Sequence, residues 1–191
     1  MATVISIYLK IMENKSIYIV ITQTGTILSR TLRAITGAEY NHASISLSAD
    51  LETMYSFGRK NPYNPFWAGF VTEAPRTGVF KRFYNTKALV MEFKIDPKNY
   101  DSLCERLNNM LDCKDKYQFN YLGILLAAFG ICRHKENCYY CSEFVKELVQ
   151  CYELDGAQNL KKIVHPIHFK NLPHEVIYAG KINEYSKRDA G

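Results

Sequence analysis

The sequence predicts an α+β domain built around an antiparallel sheet. Three observations lead there: alternating and β-branched stretches crowd the first half, helical periodicities dominate the second, and the two rarely interleave. Regular strand–helix–strand alternation would indicate a parallel sheet, whereas strands followed by helices indicate segregated layers. The 191 residues, 47% hydrophobic and 23% charged, suffice for one sizeable core, so 1–191 is expected to form a single domain. Residues 186–191 are expected to be a disordered tail.

Ser16-Ile17-Tyr18-Ile19-Val20-Ile21 is rich in β-branched residues and reads as a buried strand. Thr26 to Thr36 reads as a helix with Ile27, Leu28, Leu32 and Ile35 on one side and Gly37 as its stop. A hairpin follows: His42 to Leu47 alternates, Ala49-Asp50 makes the turn, and Thr53 to Phe57 returns. Gly58 to Thr77 interleaves Gly and Pro with Tyr63, Phe66, Trp67 and Phe70, which reads as a long aromatic loop, either a lid or a binding wall. Lys87 to Ile95 resumes a strand with Leu89, Met91, Phe93 and Ile95 on one face.

Asp96-Pro97 is a helix start, the carboxylate capping and the proline occupying the first turn. That helix is expected to run to about Cys113 with Leu103, Leu107, Met110 and Leu111 inward. Tyr121 to Phe129 reads as a buried apolar helix, and Cys132 to Asn137 as a polar loop. After Cys141, the residues Phe144, Val145, Leu148, Val149 and Tyr152 recur at three- and four-residue steps, the stripe of a helix with one buried face. A Pro- and His-bearing segment, with His165 and His168 read as loop histidines, leads into a last strand, Glu175 to Ala179.

The formal charge is +5, but the basic residues come as scattered pairs such as Arg59-Lys60 and Lys161-Lys162, which argues against nucleic-acid binding. Ala2 to Ile11 is apolar yet lacks the basic start and small-residue cleavage site of a secretory signal. The longest uncharged run, Tyr117 to Cys132, falls short of a membrane span. Six cysteines without an export signal read as reduced thiols, and a cytoplasmic location is expected.

Chemistry concentrates at Cys141. A thiol in the first turn of a helix sees the partial positive charge of unpaired N–H groups, which favours thiolate. A thiolate catalyst also needs an imidazole, and His42, at the start of a strand, is the best-placed one. Three other readings compete: a buried structural cysteine, a redox pair with Cys138, and a small zinc site drawn from Cys132, His134, Cys138 and Cys141.

The order His-Ala-Ser-Ile-Ser-Leu, hairpin, strand, then much later Cys-Ser-Glu-Phe-Val resembles the circularly permuted NlpC-like cysteine hydrolases, the branch that includes YiiX-like proteins. The resemblance covers about 17–185 and implies a permuted papain-like fold, with Cys141 as nucleophile and His42 as base. It implies cleavage or transfer at an amide or ester carbonyl through a thioester, with no cofactor. It further implies a polar third member near the end of the strand after the His strand. Counting across the hairpin puts that member at Ser56, with Glu73 and then Glu52 as carboxylates that could substitute. Tyr117, Tyr121, Trp67 and Glu73 are the candidate substrate-binding residues. The expected substrate is a peptide, another amide-linked molecule or an acyl compound, with a lipid or membrane surface left open. A catalytically weak binding domain of the same fold is the non-enzymatic alternative.

Overall fold

A computed structural model describes residues 14–25 and 39–186 of the chain. The apolar stretch Ala2–Ile11, the helix expected over Thr26–Thr36 and the tail from 187 onward lie outside the described residues. Eight strands form one sheet: β1 (Lys15–Gln23), β2 (His42–Ser46), β3 (Met54–Asn61), β4 (Asn64–Glu73), β5 (Lys87–Ile95), β6 (Gln118–Phe119), β7 (Cys138–Tyr139) and β8 (Glu175–Lys181). Their order across the sheet is β7-β6-β4-β3-β2-β1-β5-β8. Among the described residues, four α-helices accompany it: α1 (Gly78–Arg82), α2 (Pro97–Asp112), α3 (Tyr121–Ala128) and α4 (Cys141–Cys151).

The period-2 pattern of β1 and β5 serves two layers. Ile17, Ile19, Ile21, Leu89, Met91, Phe93 and Ile95 face the main core with Leu103, Leu107 and Met110 of α2 and Phe144, Val145, Leu148 and Val149 of α4. Val20, Ala88 and Val90 face a second cluster with Met54, Phe80 of α1, Ile182 and Tyr185. Burial on both faces explains why these strands are nearly continuous in apolar residues. α2 begins as its sequence predicts: Asp96 accepts from the Lys98 N–H at 2.9 Å, and Pro97 follows directly.

Three expectations need correction. The sheet is mixed, because β6 and β7 pair in parallel (Gln118 with Cys138, Phe119 with Tyr139) while the other pairs are antiparallel. β6 and β7 are separated by α3 and a loop, so the chain comes back in the same direction, as a crossover allows and a tight hairpin does not.

The aromatic segment after Gly58 is no loop but the β3–β4 hairpin, with Pro62 and Tyr63 between the paired Asn61 and Asn64. The Asn61 side chain accepts from the Tyr63 N–H and the Asn64 side chain from the Phe66 N–H, so both asparagines shape the turn. Gly58 and Gly69, which looked like loop punctuation, face each other inside the strands.

α3 is not buried either. Gly123 and Ala127 pack inward, while Tyr121, Leu122 and Leu125, and Phe129 and Ile131 beyond its end, are exposed. Asn120 fixes its start by accepting from the Gly123 N–H at 2.8 Å, and it lies so close that a Cβ at 123 would meet it at 2.2 Å. Among the described residues, no helix is long and apolar enough to cross a membrane.

Candidate active site

α4 begins where β2 begins. Tyr140 precedes the first turn, and the Glu143 carboxylate accepts from the Tyr140 N–H. Ser142 donates to the Val164 carbonyl at 2.6 Å, and Phe144, Val145, Leu148 and Val149 are buried in the main core. These contacts set the helix register and so fix Cys141, the first helical residue, only 4% exposed. Its thiol lies 4.0 Å from the carbonyl oxygen of Asn41, the residue before β2. Asn41 is itself locked, accepting from the Thr24 N–H and hydroxyl and donating back to the Thr24 carbonyl.

His42, the first residue of β2, lines the same cleft, and the Cys141 thiol is among the groups that raise the pKa of its imidazole. Nε2 of the same ring lies 2.8 Å from Oε2 of Glu73 at the end of β4. Ser44 Oγ donates to that same carboxylate oxygen at 2.8 Å and lies 3.3 Å from Nε2. Gly58 provides the space: a Cβ there would sit 3.3 Å from Glu73 Oε1 and 3.4 Å from His42 Cε1. A bare backbone on β3 lets the Glu73 side chain meet the ring.

Electrostatics follow from this packing. Burial alone would lower the His42 pKa, but the Glu73 charge and the bonds to Cys141 and Glu73 outweigh it, raising it well above the ordinary imidazole value. Burial would likewise raise the Glu73 pKa. The imidazole's charge and the bonds from His42 and Ser44 win there too, and hold the carboxyl below its usual value. An imidazolium–carboxylate pair is therefore the favoured state near neutrality.

Cys141, His42 and Glu73 share a cleft. Phe119, Tyr121 and Ile124 form one wall, and Tyr121 is fastened to the hairpin by donating to the Pro65 carbonyl at 3.1 Å. Phe57, Pro65, Ala68, Val79 and Phe80 complete a largely apolar lining. Arg59, directly across from Ala68 in the β3–β4 pairing, also lines it.

Of the residues singled out from sequence, Cys141 and His42 are together, 99 positions apart in the chain. Ser56 is not the ring's partner: it is fully buried and its hydroxyl donates to the Ala43 carbonyl at 2.7 Å. Glu52 lies in the exposed β2–β3 turn, its N–H bonded to Asp50. Glu73, expected as a substrate-binding or substitute residue, holds the imidazole. Tyr121 lines the cleft, but Tyr117 packs on Phe57 and Phe70, and Trp67 is exposed over a separate groove with Lys60 and Lys114.

The zinc set does not assemble. Cys132 and His134 are exposed while Cys138 and Cys141 are buried, and His134 pairs with Glu143 at 3.5 Å. Among the described residues no three His, Cys, Asp or Glu side chains are placed to hold a metal. Burial raises the Cys138 thiol pKa, which does not suit a redox partner.

Sequence reasoning missed Ser44, Asn41 and Arg59. Ser44 was within reach, since it lies two residues after His42 in a strand and so on the same face. Comparison of the chain with protein-family models, curated proteins and solved structures gave no match.

Proposed function

We propose that this chain is a cysteine hydrolase or acyltransferase acting on an amide or ester carbonyl through a thioester. One observation carries the reading: a single buried imidazole pairs through Nε2 with the Glu73 carboxylate, which accepts from it at 2.8 Å, and shares its cleft with the helix-start thiol. That is the nucleophile–base–orienter chain that thiol catalysis requires.

In the reaction the Cys141 proton resides on His42, and the sulfur attacks the carbonyl carbon to form a tetrahedral oxyanion. The Cys141 N–H, at the first helical position and without an acceptor within the helix, is available to that oxyanion. His42 protonates the departing amine or alcohol, and the C–N or C–O bond breaks to leave a thioester. Water, or an acceptor nucleophile, then enters; His42 takes its proton, and the thiolate leaves. Glu73 acts through His42 as a positioning residue. It fixes which ring nitrogen faces the sulfur and compensates the imidazolium.

The likeness of the His42 and Cys141 motifs to the permuted NlpC-like hydrolases supports a permuted papain-like reading of the fold. A catalytically weak binding domain would have no need of a carboxylate on His42, and Glu73 supplies one. Iodoacetamide labelling with mass-spectrometric readout tests the proposal. Cys141 should react well ahead of the other five thiols at mildly acidic pH, and His42→Ala should abolish that lead. Equal, slow labelling of all six would sink it.

A further inference from the structure

Arg59 is a half-buried cation with no acidic partner among the described residues. It lies on β3 one residue beyond Gly58, which adjoins the His42–Glu73 pair, and it lines the cleft that contains Cys141. Among the described residues no ion pair or hydrogen bond engages its guanidinium. The neighbouring cations are differently placed: Lys60 pairs with Asp115, and Arg82 lies over the Tyr63 ring while donating to the Pro62 carbonyl. The one carboxylate lining the cleft, Glu73, is committed to His42 and Ser44. Burial, and then the neighbouring Arg82, lower the Arg59 pKa, and the nearby Tyr121 phenol offsets this only in part. A guanidinium kept in a largely apolar cleft without a counter-charge is suited to receive an oxyanion from outside, because its planar donor fork matches carboxylate and phosphate.

Resting on the proposed thiol chemistry, we infer that Arg59 is a specificity-determining residue that binds an anionic group, carboxylate or phosphate, on an otherwise apolar acyl substrate. The apolar wall of Phe119, Tyr121 and Ile124 takes the hydrocarbon part, and Arg59 takes the charge. A neutral substrate of the same shape leaves the guanidinium unpaired and binds less well.

The test compares two alkylating agents of similar size on the full chain, anionic iodoacetate and neutral iodoacetamide, reading Cys141 alone by mass spectrometry. Iodoacetate should be favoured on the order of tenfold over its ratio to iodoacetamide on the exposed Cys132 and Cys151, by attraction across a low-dielectric cleft. Arg59→Gln should erase the preference while leaving the iodoacetamide rate within about twofold of wild type, and Arg59→Lys should retain part of it. No preference in wild type, or equal loss of both rates in Arg59→Gln, overturns the inference while leaving the nucleophile intact. If Cys141 reacts with neither reagent, the thiol reading fails, and calorimetric binding of octanoate and octylphosphonate to Cys141→Ser decides about Arg59. Binding of either anion, lost in Arg59→Gln and not shown by octanamide, upholds the inference. Absent or Arg59-independent binding overturns it. The stronger of the two anions distinguishes a carboxylate from a phosphate substrate.

Discussion

Replacing Glu73 with Gln keeps the shape of the side chain and removes its charge, so it isolates what the carboxylate does. One oxygen, Oε2, accepts from both His42 and Ser44, and the His42 and Glu73 side chains are only 14% and 10% exposed, so solvent screens the ion pair weakly. A hydrogen bond to a charged group contributes about 1.5–3 kcal/mol net and a neutral one about 0.5–1.5, so neutralising the acceptor of two bonds costs about 2–3 kcal/mol. For a chain of this length each kcal/mol moves the midpoint by about 2–4 °C, which gives a fall of roughly 4–12 °C. The loss should depend on pH. Glu73 has a lowered folded pKa, so its contribution is present above 4.5 and lost as pH falls through the folded value. His42 has a raised one, so its contribution is present below 6.5 and lost as pH rises through the folded value. Thermal melts of both proteins across pH should therefore differ most between those two limits and converge in acid. In the same variant the alkylation profile of Cys141 should lose its acidic limb, because an imidazole without its counter-ion no longer stays charged in the buried site. Equal melting near pH 6 with an unchanged alkylation profile would refute the reasoning.

Two further substitutions separate architecture from chemistry. Ser56→Ala should cost about 0.5–1.5 kcal/mol in denaturant unfolding by orphaning the Ala43 carbonyl, while Cys141 keeps wild-type reactivity; lost reactivity without lost stability would restore Ser56 as the orienter. Gly58→Ala places a methyl 3.3 Å from Glu73 and 3.4 Å from His42, so the dyad must shift by a few tenths of an ångström. Cys141 alkylation should then slow on the order of 10-fold or more, as misplacement in a catalytic constellation does, with the melting point little changed.

The members of the candidate site are legible in the sequence to different degrees, for reasons of distance along the chain. Cys141 declares itself because a helical stripe begins one turn after it, and His42 because a short alternating strand begins at it. Both signals are local. Glu73 is 31 positions from His42, at the end of a hairpin whose Gly58, Pro65 and Gly69 read as loop punctuation. Glycines in facing strands can serve close approach as well as turning, and only the neighbouring strand reveals which. Counting along β3 led to Ser56, since a count within one hairpin cannot foresee a side chain arriving from the next strand over. α3 misled in another way: hydrophobic on every side, it looked buried, yet the sheet covers only Gly123 and Ala127.

The position of the sulfur has a bearing on handling and on durability. Cys141 is followed three and four residues later by Phe144 and Val145, which are 1% and 0% exposed against the main cluster. Elements whose side chains are that deeply enclosed open only in concert with the entire molecule. Exposure of the Cys141 thiol in urea should accordingly coincide with loss of all tertiary signal, and a thiol probe on residue 141 becomes a gauge of whole-molecule unfolding.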